Sequence, residues 1–186
     1  MAPSATGLSR RSCKCSAFWP RGRVLGGSSS INGLLYIRGQ AGDYDHWRQL
    51  GNTGWSYDDV LPFFRKAEDQ ENGSDAWHGA GGPLRVSNLV ERNPLCEAFI
   101  NSGIAAGIPY NSDFNGARQE GIGYYQLTTR NARRCSAAVA YLHPAKRRPN
   151  LRVETEAVVE RLVFEGKRAI GAEFRRGGRL TQVIAR

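Results

Sequence analysis

The chain has 186 residues, 40% of them hydrophobic, which suffices for one domain with a real core or for parts of two. No apolar run approaches the roughly 18 residues that a membrane-spanning helix needs, and no apolar stretch follows the basic N-terminal residues Arg10, Arg11 and Lys14, which argues against a secretory signal. The formal net charge of +9 comes from small scattered sets such as Arg133-Arg134 and Lys146-Arg147-Arg148, without aromatic interleaving, so it reads as a solvated basic surface and not as a nucleic-acid stripe.

Residues 1–17 lack apolar periodicity and read as an extended lead-in. After Gly26-Gly27, the serines 28–30 offer N-caps for a short helix through Ile31, Leu34, Leu35 and Ile37, ended by Gly39 and Gly42. Asp43 is a candidate N-cap for a short helix through Trp47 and Leu50, stopped by Gly51. Ser56 and Asp59 resemble a capping box ahead of Val60, Leu61, Phe63, Phe64 and Ala67, and Pro62 is tolerable this close to the helix start. Residues 70–82 form a Gly- and Asn-rich loop, and Pro83 to Val86 a short strand.

Asn93-Pro94 reads as an N-cap with proline in the first helical position, leading a helix through Leu95, Ala98, Phe99 and Ala106 to Gly107. A strand is predicted at Gly123–Thr129, and a helix capped by Ser136 runs through Val139, Tyr141 and Leu142 until Pro144. The last part changes texture: Leu151–Val153, Val158–Phe164, Ala169–Phe174 and Leu180–Ile184 are β-rich, with turns at Glu165-Gly166-Lys167 and Arg176-Gly177-Gly178, the pattern of an antiparallel meander. The fold class is therefore mixed α+β.

Chemistry concentrates at Gly26-Gly27-Ser28-Ser29-Ser30-Ile31-Asn32-Gly33. Paired glycines let a backbone pass close to a ligand and take positive φ. Serines then start a helix whose N–H groups favour an anion such as pyrophosphate. Asn32 carries both donor and acceptor, suited to the edge of a heteroaromatic ring, and Arg21 and Arg23 add positive charge. By spacing alone a Gly-Gly-Ser turn is more often structural than ligand-binding, and the Gly-x-Gly-x-x-Gly dinucleotide fingerprint is absent from the chain. The four cysteines (Cys13, Cys15, Cys96, Cys135) and the separated histidines (His46, His78, His143) lack metal-site spacing, so no metal is expected.

The full string Arg21-Gly-Arg-Val-Leu-Gly-Gly-Ser-Ser-Ser-Ile-Asn-Gly-Leu-Leu-Tyr-Ile-Arg-Gly39 resembles the first signature of the glucose–methanol–choline (GMC) oxidoreductases, most closely their choline dehydrogenase-like and alcohol dehydrogenase-like members. Gly54-Trp55-Ser56-Tyr57 with Asp59 to Pro62, His78-Gly79 with Gly81 to Leu84, Tyr141-Leu142, and Arg148-Pro149-Asn150-Leu151 with Arg168 to Glu173 follow in family order, so the resemblance covers about residues 18–186.

The resemblance implies an FAD-covering segment at 18–45, part of a substrate lobe with antiparallel sheet and helices at 46–149, and a β-meander of a Rossmann-like FAD domain at 150–186. It implies that Gly26, Gly27 and Ser28, with Arg23 near them, run beside the FAD pyrophosphate. Asn32, Gly33, Leu34 and Leu35 would pass the flavin ring, and Val159 would meet the adenine end. Ile31 stands where some members carry a histidine that attaches FAD covalently, which implies non-covalent FAD. Trp55, Trp77 and His78 are assigned to packing in the substrate-side lobe. The implied activity is oxidation of a primary alcohol, choline or another, by hydride transfer to the flavin.

The family's dinucleotide-binding loop and catalytic histidine have no counterpart here, and none of the three histidines is promoted to that role. A non-catalytic fragment is thus the second reading, and exposed apolar patches and poor stability are expected of the isolated chain. Expected partners are a small-molecule alcohol and no nucleic acid; the expected location is cytoplasmic or peripheral to the inner membrane.

Overall fold

The computed structural model describes residues 19–185, and the predicted lead-in at 1–17 lies outside them. The chain forms two units that meet in sequence at His143 and Pro144.

In the first unit, helix α1 (Ala41–Gln49) is closed by a capping box between Gln40 and Asp43, so Asp43 is the third helical residue and not the predicted cap. Helix α2 (Tyr57–Ala67) starts at the predicted box: Ser56 accepts from the Asp59 N–H, and Asp59 accepts from the Ser56 N–H. Tyr44 of α1 packs edge-on against Phe64 of α2 at 5.7 Å between ring centres, and Trp47 against Trp55 at 5.7 Å.

Strands β1 (Glu68–Gln70) and β2 (Leu84–Val86) pair in parallel. Polar Glu-Asp-Gln gives no strand signal, and β1 went unread for that reason. Between them the loop crosses under the end of α2, where a Cβ on Gly79 would lie 1.8 Å from the Arg65 carbonyl oxygen. Only glycine allows that approach. Helix α3 (Pro94–Ala105) begins as read, with the Asn93 side chain accepting from the Leu95 N–H at 2.9 Å.

The helix expected through Ile31–Ile37 does not form. Gly27–Ser30 makes one 3-10 turn, and the chain then runs extended to Gln40. Two things override the helical spacing. Leu34 takes φ of 68°, which no right-handed helix accommodates. The segment also pairs with residues 126–128, through Tyr36 N–H to Gln126 O and Thr128 N–H to Leu34 O, both 2.9 Å. Leu127 meanwhile exchanges two 2.9 Å hydrogen bonds with Ser87 at the end of β2. The predicted strand at Gly123–Thr129 thus keeps ladder pairing only at Leu127 and at Thr129, which opens the next strand.

Strands β3 (Thr129–Arg130) and β4 (Arg133–Arg134) form a tight hairpin, with Asn131 and Ala132 both at positive φ, 52° and 57°. A π-helical turn (Ala138–Leu142) and helix α4 (His143–Ala145) follow. Ser136 caps this stretch, its hydroxyl taking the Val139 N–H at 3.4 Å, and helix continues through Pro144 where a stop was expected.

The second unit is an antiparallel meander of β5 (Val158–Glu165), β6 (Arg168–Arg176) and β7 (Arg179–Ile184). Gly177 and Gly178, at φ 53° and 80°, make the two-residue turn that the twist of a hairpin favours. Leu151–Val153 is not a strand: among the described residues no strand pairs with it, and the side chain of Arg152 instead joins Glu154, which also meets Arg176.

Candidate functional site

The predicted site begins at a sharp reversal. Gly26 and Gly27 both take positive φ, 89° and 55°. Their reasons differ. A Cβ on Gly26 would stand 2.4 Å from the Ser30 hydroxyl and 3.2 Å from the Ala138 side chain, so this glycine lets the turn pack on the π-helical segment. Among the described residues, a Cβ on Gly27 or Gly33 would meet nothing within 4 Å. Those two positions face open space, the condition for close approach of a ligand.

The three serines are turned inward. Ser28 Oγ accepts from Gly22 N–H at 3.2 Å, Ser29 Oγ donates to Gly26 O at 2.5 Å and accepts from Ala137 N–H at 2.9 Å, and Ser30 Oγ donates to Leu25 O at 2.9 Å. They hold the reversal in shape. No side chain caps the 3-10 turn, and four residues give too short a peptide array for the helix dipole that the sequence suggested.

Asn32 is more constrained than its composition implies. Its Oδ1 accepts from Arg134 Nη1 at 2.7 Å and from the Leu34 N–H at 3.2 Å. The acceptor is used internally, and the amide NH2 remains as a donor facing out from an exposed residue. Leu34 likewise spends its N–H on Asn32, and its carbonyl on Thr128. Among the described residues, no hydrogen-bond partner is found for the N–H of Gly33 or Leu35. Leu35 is bridged to Leu127 on one edge only, which leaves its own N–H directed away from that strand. Arg23 is exposed, and Val24, Leu25, Ile31, Leu35 and Ile37 form an exposed apolar border, from 41% at Leu25 to 58% at Val24. Val159 lies in the other unit, on β5, paired with Phe174 beside a bulge at Glu160, and is exposed.

Behind this surface the extended segment is anchored by a buried polar cluster. Arg38 donates to Glu68 Oε2 and to the Trp77 carbonyl, each at 2.8 Å, and its own N–H goes to Asn115 Oδ1 at 2.7 Å. His78 Nδ1 lies 3.1 Å from both Glu68 oxygens, and Nε2 lies 3.0 Å from Asp113 Oδ2. Hydrogen bonds to Asp113 and Glu68 raise the imidazole pKa to about 9. His78 itself lowers the Asp113 carboxyl. Gln70 continues the cluster to Gln126, whose carbonyl takes the Tyr36 N–H.

Sequence reading missed Arg38, Glu68, Asp113 and Arg134. Glu68 carried one local hint, a carboxylate directly after an amphipathic helix; Arg134 lies 102 residues from Asn32 and carried none.

The chain is 47% identical over 167 residues to an oxygen-dependent choline dehydrogenase of Brucella anthropi, covering 90% of this chain and 30% of that protein. It is 49% identical over 168 residues to the mitochondrial choline dehydrogenase of Homo sapiens, covering 90% and 28%. It thus spans about 30% of the length of these curated relatives. Among solved structures, a pyridoxine 4-oxidase from Mesorbium loti superposes with a TM-score of 0.81 at 36% identity, covering 89% of this chain and 33% of that one. An FAD-dependent oxidoreductase from Chaetomium thermophilum superposes at 0.80 with 28% identity, covering 89% and 31%. The family pattern described as GMC oxidoreductase matches residues 5–186, and the chain belongs to that family.

Proposed function

We propose that this chain forms one wall of the flavin site of an FAD-dependent oxidoreductase that acts on a primary alcohol, choline or a relative of it. The observation that carries the reading is the donor edge at Asn32–Leu35: an outward amide NH2, two uncommitted backbone N–H groups, and open space at Gly33. That edge suits the acceptor-rich rim of an isoalloxazine ring. Gly27, with Gly26 and Ser28 through their backbone, would follow the pyrophosphate, with the Arg23 guanidinium supplying positive charge. Val159 is proposed for the adenine end. With Ile31 beside Asn32, no imidazole is available there to bond the flavin, and attachment is non-covalent.

Bound FAD supplies a two-electron acceptor for the hydride leaving the carbinol carbon. The chain's own contribution is to bind and orient. Its apolar border at Val24, Leu25, Ile31 and Leu35 would exclude water from the ring edge. A cytoplasmic setting, with or without peripheral attachment to the inner membrane, accompanies this reading; among the described residues no helix is long and apolar enough to cross a membrane.

The second reading is that the chain is a non-catalytic fragment. It is favoured by His78, whose two ring nitrogens are both engaged by carboxylates and are not free to take an alcohol proton. Both readings are tested by adding FAD to the purified chain and following flavin fluorescence, then adding choline and a redox dye. Quenching with flavin released intact on acid precipitation is expected. Flavin that stays fully fluorescent at millimolar chain would sink the first reading; dye reduction would sink the second.

A further inference from the structure

We propose that Arg134 is the positioning residue of the ring-binding edge: it locks the Asn32 amide with its NH2 outward, so that the site takes a ligand edge rich in hydrogen-bond acceptors. This rests on the flavin-wall reading above.

The amide orientation follows from chemistry. The atom of Asn32 that meets Arg134 also meets the Leu34 N–H. Both neighbours can only donate. The atom between them must therefore be the oxygen, and the NH2 must point the other way. A flipped amide would set its NH2 against a guanidinium and an amide N–H.

Arg134 is itself held for this task. It occupies β4, paired with Thr129, and the next residue, Cys135, is 1% exposed with its N–H on the Thr128 carbonyl at 2.9 Å. The same Nη1 that binds Asn32 also reaches the Ser29 carbonyl at 3.2 Å. Three residues after Arg134, the Ala137 N–H binds Ser29 Oγ. The stretch 134–137 thus grips the turn at both Ser29 and Asn32. The Leu34 N–H bond, at 3.2 Å, is the longer of the two on the Asn32 oxygen, so the guanidinium is the main restraint. Its effect on a ligand is indirect, through the direction of the Asn32 donors.

The test is a cycle of the full chain with Arg134→Met, Asn32→Ala and both together, plus Arg134→Lys, each checked for folding by circular dichroism. FAD affinity is read by fluorescence quenching, and the bound flavin by its visible band. Arg134→Met and Asn32→Ala should each weaken FAD at least ~10-fold, the pair no more than the worse single change, and Arg134→Lys should recover part of the loss with the band restored. Arg134→Met binding within ~2-fold of the unaltered chain, or losses that multiply in the double variant, would overturn the proposal.

Should the unaltered chain bind no FAD, the flavin-wall reading fails by itself. The lock is then decided by the two Asn32 side-chain amide proton resonances in a 15N-labelled sample. They should be well separated in the unaltered chain and collapse toward free-amide positions in Arg134→Met. Unchanged resonances would overturn it.

Discussion

Glu68 and His78 meet in the interior with both carboxylate oxygens 3.1 Å from one ring nitrogen, and neither side chain is more than 5% exposed. Glu68 also takes the Arg38 guanidinium and the Gly79 N–H, so one carboxylate joins the end of α2, the 78–79 loop and the extended segment that leads from the Asn32 turn. Removing it leaves Arg38 buried without its anion. Glu68→Ala should cost about 3–5 kcal/mol, the usual result of breaking one side of a buried ion pair. The measurement is a urea titration of the chain, in which the midpoint should fall sharply with little change in slope. A midpoint within experimental scatter of the unaltered chain would show that the cluster is not a structural anchor.

The same cluster sets a pH dependence. His78 titrates at about 9 in the folded chain, against an ordinary value of 6.5. A group whose pKa rises on folding contributes its full stabilisation below the unfolded value and loses it as pH climbs through the folded one. Thermal stability should therefore decline between pH 6.5 and about 9, by an amount that His78→Gln removes. Asp113 acts at the other end: its carboxyl is lowered by the His78 hydrogen bond, so its contribution is lost only as pH falls below the ordinary carboxylate range. Melting curves across pH ~2 to ~10 for both chains check this. A parallel decline in His78→Gln would assign the alkaline loss to other groups.

Ala132 makes a separate prediction about the β3–β4 hairpin that carries Arg134. Both loop residues sit at positive φ, and Asn131 tolerates that region where a Cβ-bearing alanine pays roughly 1–2 kcal/mol. Glycine is the residue this turn favours at that position. Ala132→Gly should stabilise the chain by about 0.5–1 kcal/mol, after the extra freedom of glycine in the unfolded state is subtracted. Ala132→Val should do the reverse. Equal urea midpoints for all three would mean that the turn relaxes without strain.

Local signals made some of this architecture legible. Ser56 with Asp59 and Asn93 with Pro94 fixed two helix starts, because a cap is chemistry between residues two or three apart. Glycine pairs likewise announced the β6–β7 turn. The run from Ile31 to Ile37 misled, since its apolar spacing fits a helix while its hydrogen bonds go to residues some 90 positions on. At the candidate site, Gly27, Asn32 and Gly33 are proposed from sequence alone, and the structure changes what Asn32 offers: donors alone. Its controller, Arg134, could not be read, because no local rule links positions so far apart.

Gly33 gives the sharpest separation of ligand binding from folding. Its φ is not in the left-handed region, and among the described residues no atom lies within 4 Å of where a Cβ would stand, so a Cβ meets no protein there. Gly33→Val should change the unfolding free energy by no more than about 0.5 kcal/mol, the range of an unremarkable surface substitution. If the flavin ring passes over this residue, the two valine methyl groups occupy its contact distance, and FAD affinity should fall at least ~10-fold, some 1.4 kcal/mol. Gly51, at φ 98° and also facing open space, supplies the control: Gly51→Val should lose stability through backbone strain and keep whatever FAD affinity the folded fraction shows. An unchanged FAD titration for Gly33→Val would remove the ring from this edge, whatever the turn at Gly26 and Gly27 binds.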